Sequence, residues 1–86
     1  MYIISCALLQ LAPNPAHKFL NFKTDLENQG IINIFDSKGQ FIVNLNIDSG
    51  NTINELDVRD WLNGIYFYQL ISDDNIIDNG KFIVQH

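Results

Sequence analysis

The chain has 86 residues, of which 47% are apolar, with a formal net charge of −5 and an isoelectric point near 4.5. That length allows one domain with a thin core, and that apolar content is too high for a disordered tail. Its five cations, Lys18, Lys23, Lys38, Arg59 and Lys81, are scattered, whereas a phosphate backbone needs them clustered, so nucleic acid is not an expected partner.

The chain opens on "MYIISCALLQLA", which is far too short to span a bilayer, so no direct membrane insertion is expected. Cys6 is the only cysteine, so neither an internal disulfide nor a cysteine-based metal site is available. It reads either as a loosely matched lipid-attachment position or as a small apolar residue of a leader or first strand; no Lys or Arg precedes it, as a secretory leader would require. Residues 1–11 are read as a leader or as the remnant of an upstream segment, and the domain proper as residues 12–86.

"LAPNPAHKFLNF" follows. Pro13 and Pro15 fix their own φ and hold Ala12 and Asn14 extended, so this is a stiff lead-in and not a helix. Alternation around Leu20 and Phe22 predicts a strand over residues 17–23. "TDLENQG" connects it to "IINIFDSKGQFIVNLNI", a hairpin whose strands carry Ile32, Ile34 and Ile42. In its turn Asp36 can bond the backbone downstream and Gly39 can take a positive φ. "DSGN" is a second turn, and "TINELDV" alternates again toward Leu56 and Val58. "DVRDWLNG" permits one helical turn stopped by Gly64, where a positive φ or a close backbone approach is again expected. "IYFYQLI" is an aromatic, β-branched strand, "SDDN" a turn, and "IIDNGKFIVQH" one or two closing strands, with Asn79-Gly80 as a favoured hairpin pair. Six or seven short strands without a long helix predict an all-β, antiparallel sandwich. Its expected core is Leu20, Phe22, Ile32, Ile34, Ile42, Leu56, Val58, Leu62, Tyr66, Leu70, Phe82 and Val84.

Chemistry is hard to place on this pattern. His17 and His86 are the only histidines, and no nucleophile elbow accompanies them, so a catalytic triad is not expected. Asp73, Asp74 and Asp78 read as turn formers or, without the spacing of a calcium loop, as weak calcium candidates. Glu55 and Asp57 share a strand face. Trp61, Tyr66 and Tyr68 are either packing or a sugar-stacking platform, which leaves a carbohydrate-binding or adhesion module as the alternative function. No catalytic residue, cofactor or metal is expected.

Four blocks, in order, carry a resemblance: "APNPA", "INIFDSKGQFI", "LDVRDWLNGIYFYQL" and "GKFIVQ". Together they resemble the C-terminal sorting domain of type IX secretion cargo proteins, the type A group of Bacteroidota, from Ala12 to Gln85. Leu11-Ala12 stands where that family usually has an aromatic, and His86 where Lys or Arg is frequent. The resemblance implies a seven-stranded Ig-like sandwich acting as a non-catalytic sorting signal for a covalently fused cargo. It implies recognition by the type IX outer-membrane translocon, then cleavage upstream by a sortase-like surface peptidase and attachment to a lipopolysaccharide anchor. The protein would pass through the periplasm to the cell surface or the medium. The signal motif carried over is Pro13, Asn14, Pro15, Asp36, Gly39, Leu62, Gly64, Tyr66, Lys81, Phe82 and Val84. The Asp36–Gly39 turn and the last strand, residues 81–85, are the expected contact elements, the strand by offering unpaired backbone groups.

Overall fold

The computed structural model describes residues 9–86, so the alternatives for Cys6 lie outside the described residues. Seven strands run β1 (Leu9–Ala12), β2 (Phe19–Leu26), β3 (Gly30–Phe35), β4 (Phe41–Ile47), β5 (Gly50–Asp57), β6 (Gly64–Ser72) and β7 (Asn75–Val84). They form a three-stranded sheet in the order β1-β2-β5 and a four-stranded sheet in the order β4-β3-β6-β7, with every named pairing antiparallel. The chain therefore changes sheet between β2 and β3, between β4 and β5, and between β5 and β6, as the strands of an Ig-like sandwich do.

Period-two patterning places the core. Leu20, Phe22, Thr24 and Leu26 of β2 face Ile32 and Ile34 of β3, Tyr66, Tyr68 and Leu70 of β6, and Phe82 and Val84 of β7, all of them buried. Phe22 meets the rings of Tyr68 and Phe82 edge-on, at centroid distances of 6.1 and 6.2 Å. The one hydroxyl buried deep in the three-stranded sheet, that of Thr24, is satisfied by Thr52 Oγ1 at 2.9 Å, its cross-strand partner.

Four sequence expectations require correction. The strand expected over residues 17–23 runs over Phe19–Leu26. Ile42 is 39% exposed, because a bulge pairs Ile34 with Val43 but Phe35 with Phe41, which leaves Ile42 as the extra residue and turns it outward. Val43, Leu45 and Ile47 take the inward side in its place. Leu62 is 82% exposed, since it lies in the connection from β5 to β6, which forms turns and no helix.

Asn79-Gly80 lies inside β7, with Tyr68 opposite Gly80. A Cβ at Gly80 would fall 2.7 Å from the Tyr68 hydroxyl, so this glycine makes room for a core aromatic. The hairpin turn is the one expected at "SDDN": Asp73 and Asp74, with φ of 53° and 63°, lie between the paired Ser72 and Asn75. Positive φ at both central residues is the turn that the twist of a two-residue hairpin selects, and aspartate tolerates it better than most residues.

Ile34→Ala should cost about 2–4 kcal/mol in urea denaturation, the range for emptying a buried aliphatic site, whereas Leu62→Ala should cost less than about 0.5 kcal/mol. Asp74→Gly should raise stability by roughly 0.5–1 kcal/mol, because glycine adopts that left-handed conformation without strain.

Candidate recognition site

The antiparallel registers fix which loops share an end of the sandwich. Residues 13–18, 36–40 and 58–63 and the C-terminal residues 85–86 all lie at one end, beyond the Phe19–Asp57 and Gly64–Val84 pairs. The four sequence blocks therefore meet there, although up to 69 positions separate the residues that touch.

Pro13, Asn14 and Pro15 form the passage from β1 toward the last strand, and both X–Pro peptide bonds are cis. The Ile83 N–H donates to Asn14 Oδ1 at 3.1 Å. Ala16, fully buried, donates its N–H to the Ile83 carbonyl and accepts from the Gln85 N–H, each at 2.8 Å, in a parallel bridge beside Val84. These contacts correct one expectation: the outer edge of β7 at Ile83 and Gln85 is occupied by the chain's own proline segment, so it offers no free groups there.

Asp36 organises the β3–β4 turn. Its Oδ1 accepts from the N–H groups of Lys38 and Gln40, both at 2.9 Å, and Gly39, at φ +83°, donates its N–H to the Asp36 carbonyl. Leu62, Gly64 and Tyr66 form a second device. The Tyr66 hydroxyl donates to the Leu62 carbonyl at 2.6 Å, and Gly64, at φ +154°, carries the chain through the bend between them. This is a tyrosine corner, a hallmark of Ig-like sandwiches at the start of the equivalent strand. The Tyr66 ring stacks on Phe82 at 5.7 Å and leans on Trp61 at 4.9 Å. Trp61 packs against the core and Tyr66 and Tyr68 are buried in it, so all three aromatics weighed as a sugar platform are engaged in packing. Phe82 and Val84 are core residues, while Lys81 is exposed opposite Phe67.

The C-terminus closes the set. His86 donates its backbone N–H to Asn63 Oδ1 at 2.9 Å, and its Nε2 lies 2.8 Å from the Trp61 carbonyl. A cavity of about 380 Å³ opens between the β3–β4 turn and the tyrosine corner, walled by Asp36, Lys38, Ile42, Trp61, Leu62 and Tyr66. Sequence reasoning did not assign Asn63, Ala16 or His86 to the site. Only the proximity of Asn63 to the glycine and of Ala16 to the prolines hinted at them.

Charge divides the molecule. Asp25, Glu27, Asp48, Asp73 and Asp74 crowd the opposite end, whose loops carry neither Lys nor Arg. At the motif end Lys18, Lys38 and Arg59 offset Asp36, Asp57 and Asp60. Arg59 holds the Asp57 carboxyl below its ordinary range by hydrogen bonding, in an ion pair of 2.8 Å that is exposed and so adds little stability. Asp73, Asp74 and Asp78 do not converge with a further ligand: no group of three or more His, Cys, Asp or Glu among the described residues has metal-holding geometry.

Burial raises the Tyr66 phenol above its usual value, with a smaller contribution from the Asp36 charge; burial and then Asp78 do the same at Tyr68. As pH rises past about 10, tyrosines of the unfolded chain lose protons that these two keep. The unfolded state then binds fewer protons, and stability must fall. Tyr66→Phe should lower stability at neutral pH by about 1–2 kcal/mol through the lost hydrogen bond. The same substitution should flatten the alkaline decline in a pH series of urea midpoints.

Comparison with curated proteins gave no match. A family model described as secretion system C-terminal sorting domain matches residues 10–85, which takes in the proline passage, both turn devices and all of the closing strand. Sorting domains of this family are typically non-catalytic. The chain therefore belongs to the secretion system C-terminal sorting domains, the signals of type IX secretion that, with the type IX machinery, bring the protein carrying them to the cell surface or out of the cell.

Proposed function

We propose that the folded domain is itself the signal, that it has no catalytic role, and that its motif end is the surface the translocon reads. The observation that supports this is the meeting of four separated sequence blocks at one end of the sandwich, around an open cavity rimmed by the exposed Leu62. In this reading the proline passage, the Asp36–Gly39 turn and the tyrosine corner hold the shape of that end. Leu62, Lys38 and Lys81 supply the exposed side chains a partner can touch. A near-neutral recognition end on an acidic body also presents a partner with less repulsion than the carboxylate-rich opposite end would offer to an acidic surface.

The attached cargo, in the same reading, leaves the chain ahead of β1, travels through the periplasm, and is cut by a surface peptidase upstream of that strand. The functional unit then begins at β1 and not at Ala12. Leu9 is a core residue and Leu11 packs against the core, so a cut through β1 would open the three-stranded sheet.

A fusion of residues 9–86 to a periplasmic reporter in a type IX-competent bacterium should deliver the reporter to the surface or the medium. Leu62→Asp should leave the thermal midpoint of the domain unchanged and hold the reporter in the periplasm. Ile53→Asp, a similarly exposed change on the three-stranded sheet, should export normally. Normal export of the Leu62 variant together with a block in the Ile53 variant would place recognition on the other sheet. Deleting residues 9–12 should lower both stability and export.

A further inference from the structure

The chain holds two Asn-Gly pairs, Asn63-Gly64 and Asn79-Gly80, and the fold treats them differently. An asparagine followed by glycine cyclises readily, because no side chain on the second residue keeps its nitrogen from the asparagine Cγ. Asn79-Gly80 lies midway along β7, with Asn79 paired to Gln69 and Gly80 to Tyr68. A Cβ on Gly80 would fall 2.7 Å from the Tyr68 hydroxyl, so the space around that pair is filled. Ring closure there must first part the ladder. Asn63 is exposed and lies outside any strand, one residue ahead of β6, and a Cβ on Gly64 would meet no atom within 4 Å. Both residues line the open cavity between the β3–β4 turn and the tyrosine corner, where water reaches them.

We propose that Asn63 is a site of spontaneous covalent modification, its carboxamide cyclising onto the Gly64 nitrogen, and that the fold directs this chemistry to Asn63 and away from Asn79. The Gly64 nitrogen gives up its proton to solvent and bonds to Asn63 Cγ; the Cγ–Nδ2 bond breaks, and Nδ2 leaves as ammonia with a proton returned from solvent. One water then opens the five-membered imide at either carbonyl, giving aspartate or isoaspartate. During the attack negative charge gathers on Oδ1, and the His86 N–H already stands 2.9 Å from that atom. His86 is held in place by its ring, whose Nε2 lies 2.8 Å from the Trp61 carbonyl. Either product adds a carboxylate to the end where Lys18, Lys38 and Arg59 offset the acids. Isoaspartate also adds a backbone atom between Leu62 and Gly64, inside the span that the Tyr66 hydroxyl closes on the Leu62 carbonyl. The modification therefore ages the motif end ahead of the rest of the domain. Resting on the reading of that end as the recognised surface, a domain held too long in transit loses its signal; the chemistry itself is tested without export.

The 86-residue chain, incubated in mildly alkaline buffer both native and unfolded in guanidinium, is digested at intervals, and the amide-to-acid mass increase is followed in the peptides carrying Asn63 and Asn79. Asn63 should convert in the native chain at least as fast as in the unfolded chain. Asn79 should convert at least about tenfold more slowly in the native chain, because the strand must open first. Both rates should rise with pH, since the attacking nitrogen must lose its proton. His86→Pro, which removes the N–H beside Oδ1, should slow the native reaction at Asn63 and leave the unfolded rate unchanged. Conversion at Asn63 slower in the native than in the unfolded chain, or no faster than at Asn79, overturns the proposal. A native Asn63 that reacts faster once His86 is proline overturns the role given to that N–H.

Discussion

Phe22 is the residue on which the two sheets lock. It is the fully buried aromatic of the three-stranded sheet, and it meets Tyr68 and Phe82 of the other sheet edge-on, the approach that aromatic quadrupoles favour. From that contact the rest follows by crowding. Tyr68 can lie across the core only if the residue opposite has no side chain, and Gly80 meets that need. Phe82 is held flat under Tyr66, and Tyr66 in turn reaches back to the Leu62 carbonyl. A thin domain thus runs one continuous aromatic path from β2 to the bend before β6.

Much of this was legible in the residues. Alternation set β3, β6 and the inward sides of β2 and β7, because a half-buried strand cannot hide its period. The Asp36–Gly39 turn was readable because its chemistry is local. Failures arose where tertiary packing overrode local preference. Asn79-Gly80 has the composition of a hairpin turn, yet the Tyr68 ring claims the glycine and β7 runs on through it, so the chain turns only at the "SDDN" already legible as a turn. The bulge that turns Ile42 outward leaves no mark in the hydrophobic pattern, since Ile42 and Val43 are equally apolar. Leu9 read as leader because four residues are too few to show a period, and its place in the core is a matter of pairing with β2.

The candidate site shows the same division between local and distant causes. Each motif block had a structural account available from its own residues: a proline stop, an aspartate-bonded turn, a glycine before a tyrosine. What no block could reveal was that Asn14 reaches Ile83, or that His86 reaches Asn63 and Trp61. Those links tie the proline passage to β7 and the last residue to the loop before β6, and make the local devices into one surface. Most of the motif side chains are occupied in holding that surface together, which leaves few of them, Leu62 foremost, free for another molecule.

The strap that runs from β1 to β7 also has a mechanical meaning. Ala16 lies parallel to Val84, so tension applied through the upstream chain and resisted at the C-terminus pulls the two segments past one another lengthwise. The bonds from Ile83 to Asn14, from Ala16 to Ile83 and from Gln85 to Ala16 then bear load together in shear, where a hairpin pulled open would release its bonds one at a time. A domain drawn by the segment ahead of it thus resists unravelling through bonds that must give way together.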